Sequence, residues 1–280
     1  MSTLYVVATP IGNLEDLSPR AERVLREVSL IAAEDTRHTG KLLKHFGIET
    51  PLTSYFDHNK GKKLAPILAK LASGDVALVS DAGMPGINDP GYLLVQAALD
   101  AGHNVSPVPG PSAPIAALAV SGLPTDRFLY LGYLPRKRGE RRSALSEVAA
   151  LPYTLVFLES PHRLLASLAD LQAELGDRRI AVAREMTKMY EEIFRGRISE
   201  AAAHFDGGRL QGEITLVVDG APQEALRWDV ERVRDSLKAG LARGESVSSL
   251  SREIAAQSGW KRREVYRLAN ELNKGATEAV

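Results

Sequence analysis

The chain reads as an α/β protein of two sheet-and-helix units followed by a small all-helical one. Three observations predict this. Short apolar runs alternate with helix-period stretches from Leu4 to about Leu118, the mark of repeated βα units around a parallel sheet. A second such series begins after Ser121-Gly122-Leu123-Pro124-Thr125-Asp126, which reads as a linker. Beyond Gly220-Ala221-Pro222 the composition turns helical and mildly basic, with 11 Lys/Arg against 8 Asp/Glu over residues 225–280. A chain of 280 residues is expected to hold more than one domain, and the divisions fall at 1–120, 121–222 and 223–280.

In the first unit, Leu4–Ala8, Leu30–Ala33, Val76–Val79 and Val105–Val108 are short, mostly apolar runs bounded by turn signals, as suits strands covered on both faces. Between them Ala21/Val24/Leu25/Val28, Leu42/Leu43/Phe46, Leu64/Ile67/Leu68/Leu71 and Leu93–Leu99 recur at helical spacing. In the second unit, strands are expected near Phe128–Gly132, Thr154–Leu158, Ile180–Ala183 and Ile214–Val218. Leu164, Leu168, Leu171 and Leu175 form the apolar stripe of a core helix. In the last unit, Val247/Leu250/Ile254 and Val265/Leu268/Leu272 flank Ser258-Gly259-Trp260, a helix-turn-helix pattern with Ala255, Gly259 and Val265 at its small, turn and core positions. Lys261-Arg262-Arg263 and Arg267 would face phosphates from the second helix; a hairpin used for dimer contact fits the same residues.

Composition narrows the function. The 35 Lys/Arg balance 35 Asp/Glu, so a nucleic-acid or membrane partner must use a local patch rather than a global field. The absence of cysteine excludes disulfides, thiolate catalysis and cysteine metal sites, and is compatible with a reducing compartment. No apolar run approaches the ~20 residues that span a bilayer, and the N-terminus enters a strand without a signal-peptide pattern. A soluble, cytoplasmic protein is the expectation.

The most informative stretch is Val76–Gly91, a buried-type strand running into a loop (81–91) of three glycines, two prolines and two aspartates. A loop so poor in side chains lets its backbone touch a ligand, although a tight strand-to-helix turn would use the same residues. Its glycines at 83, 86 and 91 do not fit GxGxxG, and no GxxxxGK[ST] occurs, so ordinary dinucleotide and P-loop binding are disfavoured. Thr9-Pro10-Ile11-Gly12-Asn13 and Pro109-Gly110-Pro111-Ser112-Ala113 follow two other strands, and ligands gather at that end of a parallel sheet. Together the loops offer mostly peptide groups, with Ser112 able to cap the next helix. Such a wall suits a neutral, aromatic-bearing cofactor better than a polyphosphate.

Four polar clusters accompany these loops. Glu34-Asp35-Thr36-Arg37-His38-Thr39-Gly40-Lys41 ends a strand and opens a helix that Asp35 or Thr36 can cap, yet holds more polar chemistry than a cap requires. Its single His with adjacent carboxylates lacks metal-ligand spacing, so no metal is expected. Arg136, Lys137, Arg138, Arg141 and Arg142 put five cations within seven residues, a candidate phosphate contact. Glu159-Ser160-Pro161-His162-Arg163 and Arg184-Glu185-Met186-Thr187-Lys188 each bring an Arg and a carboxylate to a strand end, as salt-bridged caps or as a crevice edge. Gly212-Glu213 precede the last strand.

Taken together, Tyr5–Asp16, Ala33–Arg37, Ser80–Gly91, Pro109–Ala113 and Glu159–Arg163 resemble the ribosomal RNA small subunit methyltransferase I family, within the tetrapyrrole-methylase (class III) fold of S-adenosylmethionine enzymes. The likeness runs the length of the chain. Met84 stands where the family pattern has threonine and Asn88 where it has serine; neither removes the backbone that the loop presents.

The resemblance implies a mainly parallel N-terminal sheet, a mixed second sheet, and S-adenosylmethionine folded between them. Ile11, Asp81, Gly83, Met84, Pro85, Gly86, Ile87, Ser112, Ala113, Leu158, Gly212 and Glu213 are the cofactor contacts it carries over. It further implies 2′-O-methylation of a cytidine in the decoding region of small-subunit rRNA, within an assembled 30S subunit, by a homodimer. Methyl transfer needs aligned reactants and a destination for one proton, and Asp35, Glu34 and Glu185 are candidates for the base. Arg37, Arg136, Lys137, Arg163, Arg184 and Lys188 are candidates for orienting RNA phosphate or ribose. A tetrapyrrole methyltransferase and a non-enzymatic RNA-binding or ribosome assembly protein are the alternatives, the basic cluster and the tail favouring RNA.

Overall fold

Apolar runs that must be covered on both faces form the centre of a first, wholly parallel sheet. A computed structural model describes residues 2–56, 60–89, 91–208, 210–222 and 228–277; Pro90 of the glycine-rich loop and residues 223–227, where the third unit was expected to begin, lie outside them. The strands are β1 (Thr3–Val7), β2 (Leu30–Ala33), β3 (Leu52–Ser54), β4 (Val76–Val79) and β5 (Asn104–Val108), in the order β3-β2-β4-β1-β5. Helices α1 (Pro19–Glu27) and α2 (Thr36–His45) pack Val24, Leu25 and Leu43 against Val7, Ile31 and Val79 on one face. Helices α3 (Lys60–Leu71) and α4 (Tyr92–Asp100) pack Ile67, Leu71 and Leu94 against Leu4, Ala32 and Leu78 on the other. The chain therefore winds outward from β1 through β2 to β3, then returns to β4 and β5. The neighbours β1 and β4 send their loops to opposite faces, and a doubly wound sheet opens a crevice at such a place.

Helix α5 (Ala113–Val120) joins the two sheets, burying Ala117 and Leu118 against Val156, Ala181 and Val217. The second sheet comprises β6 (Phe128–Tyr133), β7 (Thr154–Glu159), β8 (Arg179–Arg184), β9 (Glu192–Arg197) and β10 (Ile214–Val218), ordered β6-β7-β10-β8-β9. Only β6 and β7 are parallel, so the sheet is mixed, as the resemblance implied. Helices α6 (Arg138–Val148), α7 (Leu164–Leu175) and α8 (Ile198–Phe205) cover its far face, with Leu164, Leu168, Leu171 and Leu175 all buried.

Two strands escaped the sequence reading, and both are sheet edges. Leu52-Thr53-Ser54 is short and half-buried, and Glu192–Arg197 carries three charged residues in six. An edge strand meets solvent along one side and is blunted by charge, so the apolar run that betrays an interior strand is missing.

The C-terminal helices are α9 (Val230–Ala242), α10 (Val247–Ser258) and α11 (Arg262–Thr277). Gly259 ends α10 at φ +68°, and Val265 packs with Leu250, Ile254 and Leu268, so the expected helix-turn-helix pair is present. Val233 and Leu237 of α9 complete its core. No described helix is long and apolar enough to cross a membrane.

Candidate active site

At the end of β4, Thr9 N–H donates to Gly83 O (2.9 Å) and Gly83 N–H donates to Thr9 O (3.0 Å), an antiparallel bridge between loops that leave parallel strands. Gly83 and Gly86 hold φ of +80° and +82°, which an L side chain resists. Gly83 of this bridge lines a cavity of about 200 Å³ between the two sheets. Ile11, Glu34, Asp81–Met84, Ile87–Asp89 and Ser112–Pro114 line it from the first sheet's loops; Tyr130, Tyr133, Leu158 and Glu213–Thr215 line it from the second. Nine of the twelve residues expected to meet a cofactor are therefore brought together, and Pro85, Gly86 and Gly212 are chain neighbours of lining residues. Ser112 stands at the α5 N-cap, but its hydroxyl makes no capping hydrogen bond.

The three candidate bases part company here. Asp35 caps α2, accepting the Arg37 N–H (2.8 Å), and both its oxygens engage the Arg37 guanidinium (3.1 and 2.6 Å). Hydrogen bonding to Arg37, from the side chain first and then the backbone, holds the Asp35 carboxyl well below the usual carboxylate range. Glu185 accepts from Lys188 Nζ (2.8 Å) and from Glu213 N–H (3.0 Å), and the Lys188 bond is the main cause of its lowered pKa. Only Glu34 lines the cavity, where its Oε2 accepts the Asp81 N–H (3.3 Å) while Asp81 Oδ1 accepts the Asp35 N–H (3.1 Å).

The β8–β9 turn meets the site through Glu213, whose N–H donates to Glu185. Glu185 and Thr187 occupy positive φ (+50° and +66°), a strained backbone that persists only when its surroundings fix it. Asn13 N–H donates to Thr187 Oγ1 (3.1 Å), and at Gly212 (φ +90°) any Cβ would run into the Glu185 carboxylate. Lys188 lies 3.5 Å from Glu213 as well, whereas Arg184 is paired with Glu192 (2.8 Å).

The basic run 136–142 is not one patch. Arg141 is buried in an ion pair with the equally buried Asp170 (2.5 Å), which also accepts from Arg138 (3.2 Å), while Arg142 meets Glu174 and Lys137 meets Glu140. Arg136 is exposed and lines a second groove with Tyr133, Leu134, Ser160, His162 and Arg163. Arg163 is itself tied to Glu159 (2.5 Å), whose carboxylate also accepts from Ser167. Tyr133 lines both the groove and the central cavity.

Sequence reasoning missed Asp89, Tyr130 and Tyr133 as lining residues. A register shift between Tyr130 and Tyr133, with Gly132 at φ +65°, turns both phenols toward the cavity where plain alternation would not. Burial pushes the Asp89 carboxyl up to about 6, aided by Glu34, Asp81 and Glu213 and opposed by a hydrogen bond with Ser80. Burial, then Asp89, pushes Tyr130 up to about 12. Among the described residues no group of His, Asp or Glu is placed to hold a metal ion.

Comparison with known proteins fits this architecture. The family model for tetrapyrrole (corrin/porphyrin) methylases matches residues 3–202. A Synechocystis sp. protein named "Ribosomal RNA small subunit methyltransferase I" is 49% identical over 275 residues, covering 97% of this chain and 99% of its own. A Thermotoga maritima protein of the same name is 49% identical over 221 residues, 99% of its length but only 79% of this chain. Among solved structures, the methyltransferase CobJ superposes with a TM-score of 0.59 at 19% identity, covering 79% of this chain and 95% of that one, which speaks for the fold alone. The parallel sheet, the mixed sheet and the crevice between them, with a match of this extent, make the chain a member of the tetrapyrrole methylase family and, within it, of the ribosomal RNA small subunit methyltransferase I family.

Proposed function

We propose that this chain methylates the ribose 2′-hydroxyl of a cytidine in the decoding region of small-subunit rRNA, using S-adenosylmethionine, and that it works as a cytoplasmic homodimer on the assembled subunit. The observation that carries the reading is the crevice at the β1/β4 switch point, walled by peptide groups from separate loops, in a chain 49% identical to a protein named for small-subunit rRNA methylation. Apolar Ile11, Ile87, Ala113 and Leu158, the backbone of Gly83–Ile87, Ser112, and Gly212-Glu213 with Asp81 suit a molecule that is part adenosine and part amino acid. When bound there, S-adenosylmethionine supplies a methyl carbon on a positively charged sulfur.

The residues of the chain then have three tasks. Alignment comes first, since it can lower a barrier by roughly 7–11 kcal/mol in favourable cases, more than a positioned base supplies. The clamped turn of Glu185 and Lys188 and the bridge of Thr9 and Gly83 fix the loops for it. RNA binding falls to exposed Arg37, Arg136 and Lys137, with Arg163, Arg184 and Lys188 shaping the rim through their ion pairs. Proton acceptance belongs to a carboxylate that faces the cavity, and of Glu34, Asp35 and Glu185 only Glu34 does so. Residues 1–120 and 121–222 would act as the two walls, and 223–280 as an RNA-recruiting unit.

The test is transfer of labelled methyl from S-adenosylmethionine to small ribosomal subunits that lack the modification, with digestion and mass spectrometry of the product. A 2′-O-methylcytidine from the decoding region is expected. Transfer to a tetrapyrrole but not to subunits would reverse the substrate, and absence of any transfer would point to a binding protein.

A further inference from the structure

We infer that Asp89 accepts the ribose hydroxyl proton during methyl transfer, held for that task between the two sheets by the packing of Asn88 on Gly132. The inference rests on the methyl-transfer reading and adds to it a residue that the sequence did not single out. Asp89 lines the central cavity from the loop after β4 and stands across from Tyr130 and Tyr133 of β6. Its chain neighbour Asn88 holds φ +66° without being glycine, and its side-chain amide occupies the space that a side chain at residue 132 would need. Strain of this kind is retained where a loop must present a group in one orientation.

The other carboxylates near the cavity are engaged by donors. Asp35 is engaged by Arg37, Glu185 by Lys188 and Glu213 N–H, Glu34 by Asp81 N–H, Asp81 by Asp35 N–H, and Glu213 lies near Lys188. The hydrogen bonds from Arg37 and Lys188 lower the pKa of Asp35 and Glu185 and weaken both as bases. Asp89 differs: burial raises its proton affinity, and Glu34, Asp81 and Glu213 raise it further. A carboxyl at about 6 is ionised at neutral pH and basic enough to take a proton. In the step, the 2′-oxygen forms a bond to the methyl carbon as the carbon–sulfur bond breaks, the electron pair of that bond stays on sulfur, and the hydroxyl proton moves to an Asp89 oxygen. Solvent then removes it.

The experiment compares wild type with Asp89→Asn and Asp89→Glu, using labelled S-adenosylmethionine and small subunits. Calorimetry with S-adenosylmethionine, steady-state kinetics and the pH profile of kcat are read on each, and the Asp89 carboxyl is titrated by carbon-13 NMR in the free protein. Asp89→Asn is expected to keep S-adenosylmethionine affinity and KM for subunits within about threefold while kcat falls by about 10²–10⁴-fold. Wild-type kcat should fall about tenfold per pH unit below the Asp89 titration, a limb that Asp89→Asn loses and Asp89→Glu retains in part. The NMR titration is expected near 6. Asp89→Asn with near-normal kcat, a loss confined to KM or to S-adenosylmethionine affinity, an acid limb that follows Glu34→Gln instead, or an ordinary aspartate titration would overturn the inference. Absence of methyl transfer by the wild type would instead overturn the reading beneath it.

Discussion

Thr9 and Gly83 exchange two backbone hydrogen bonds across the point where the winding of the first sheet reverses. The pair closes the β1–β4 gap at its base and leaves the peptide groups beyond it facing the second sheet. Gly83→Ala tests this. An added Cβ would meet Pro111 O at 3.6 Å and Ile11 Cγ2 at 3.7 Å, ordinary contacts, so the penalty comes from φ +80°. Destabilisation of about 1–2 kcal/mol is expected in urea unfolding, with a loss of S-adenosylmethionine affinity by calorimetry that exceeds it.

Arg141 and Arg136 sit five residues apart in one basic run and should behave as opposites. Arg141→Ala strands the buried Asp170 carboxylate, with Arg138 at 3.2 Å as its remaining ion-pair partner, and is expected to cost about 3–5 kcal/mol of stability. Arg136→Ala should leave the melting temperature unchanged and weaken binding to small subunits, more at low salt than at high.

The pH dependence of stability offers a separate check on Asp89. Its folded-state pKa lies above the ordinary aspartate value, so between about 4 and 6 the folded protein binds more protons than the unfolded one. The Asp89 contribution to stability therefore falls as pH rises through that window, and its full penalty stands above 6. Discounted for solvent screening it amounts to about 1 kcal/mol. Asp89→Asn should flatten this slope and be more stable than wild type at pH 7, measured by urea unfolding at pH 4 and pH 7.

Trp228 and the core of α9–α11 form a self-contained cluster, with Trp260 Nε1–H donating to Trp228 O (2.7 Å). A fifth of this chain has no counterpart in the Thermotoga maritima relative, which is matched over 99% of its length. A chain ending at Pro222 is accordingly expected to fold and to bind S-adenosylmethionine with unchanged affinity by calorimetry. Its transfer to small subunits should weaken and show a shallower salt dependence, because the exposed cations Arg263 and Arg267 are removed.

What the sequence revealed followed burial. Val76–Val79 and Ile214–Val218 announced themselves because both their faces are covered, and the glycines at 83 and 86 because positive φ leaves few other residues. Edge strands β3 and β9 were hidden because their unpaired sides are wet. Arg141 looked like its neighbours because charge in a sequence does not tell which member of a run points inward; only the helix phase against Asp170 does. Asp89 was legible as a polar residue in a glycine loop, but its raised proton affinity arises from burial first, and then from Asp81 of its own loop and from Glu34 and Glu213, brought to it by two other strand ends. Tyr133 depended on a bulge at Gly132 that the Phe128–Tyr133 run does not advertise.

The most direct test of the central claim is a crystal structure grown with S-adenosylmethionine. The ligand is expected in the cavity between the two sheets, touching the backbone of Gly83–Ile87 from one side and Leu158 with Gly212-Glu213 from the other. Saturating ligand that leaves this crevice without density, or that binds elsewhere on the molecule, would contradict the account.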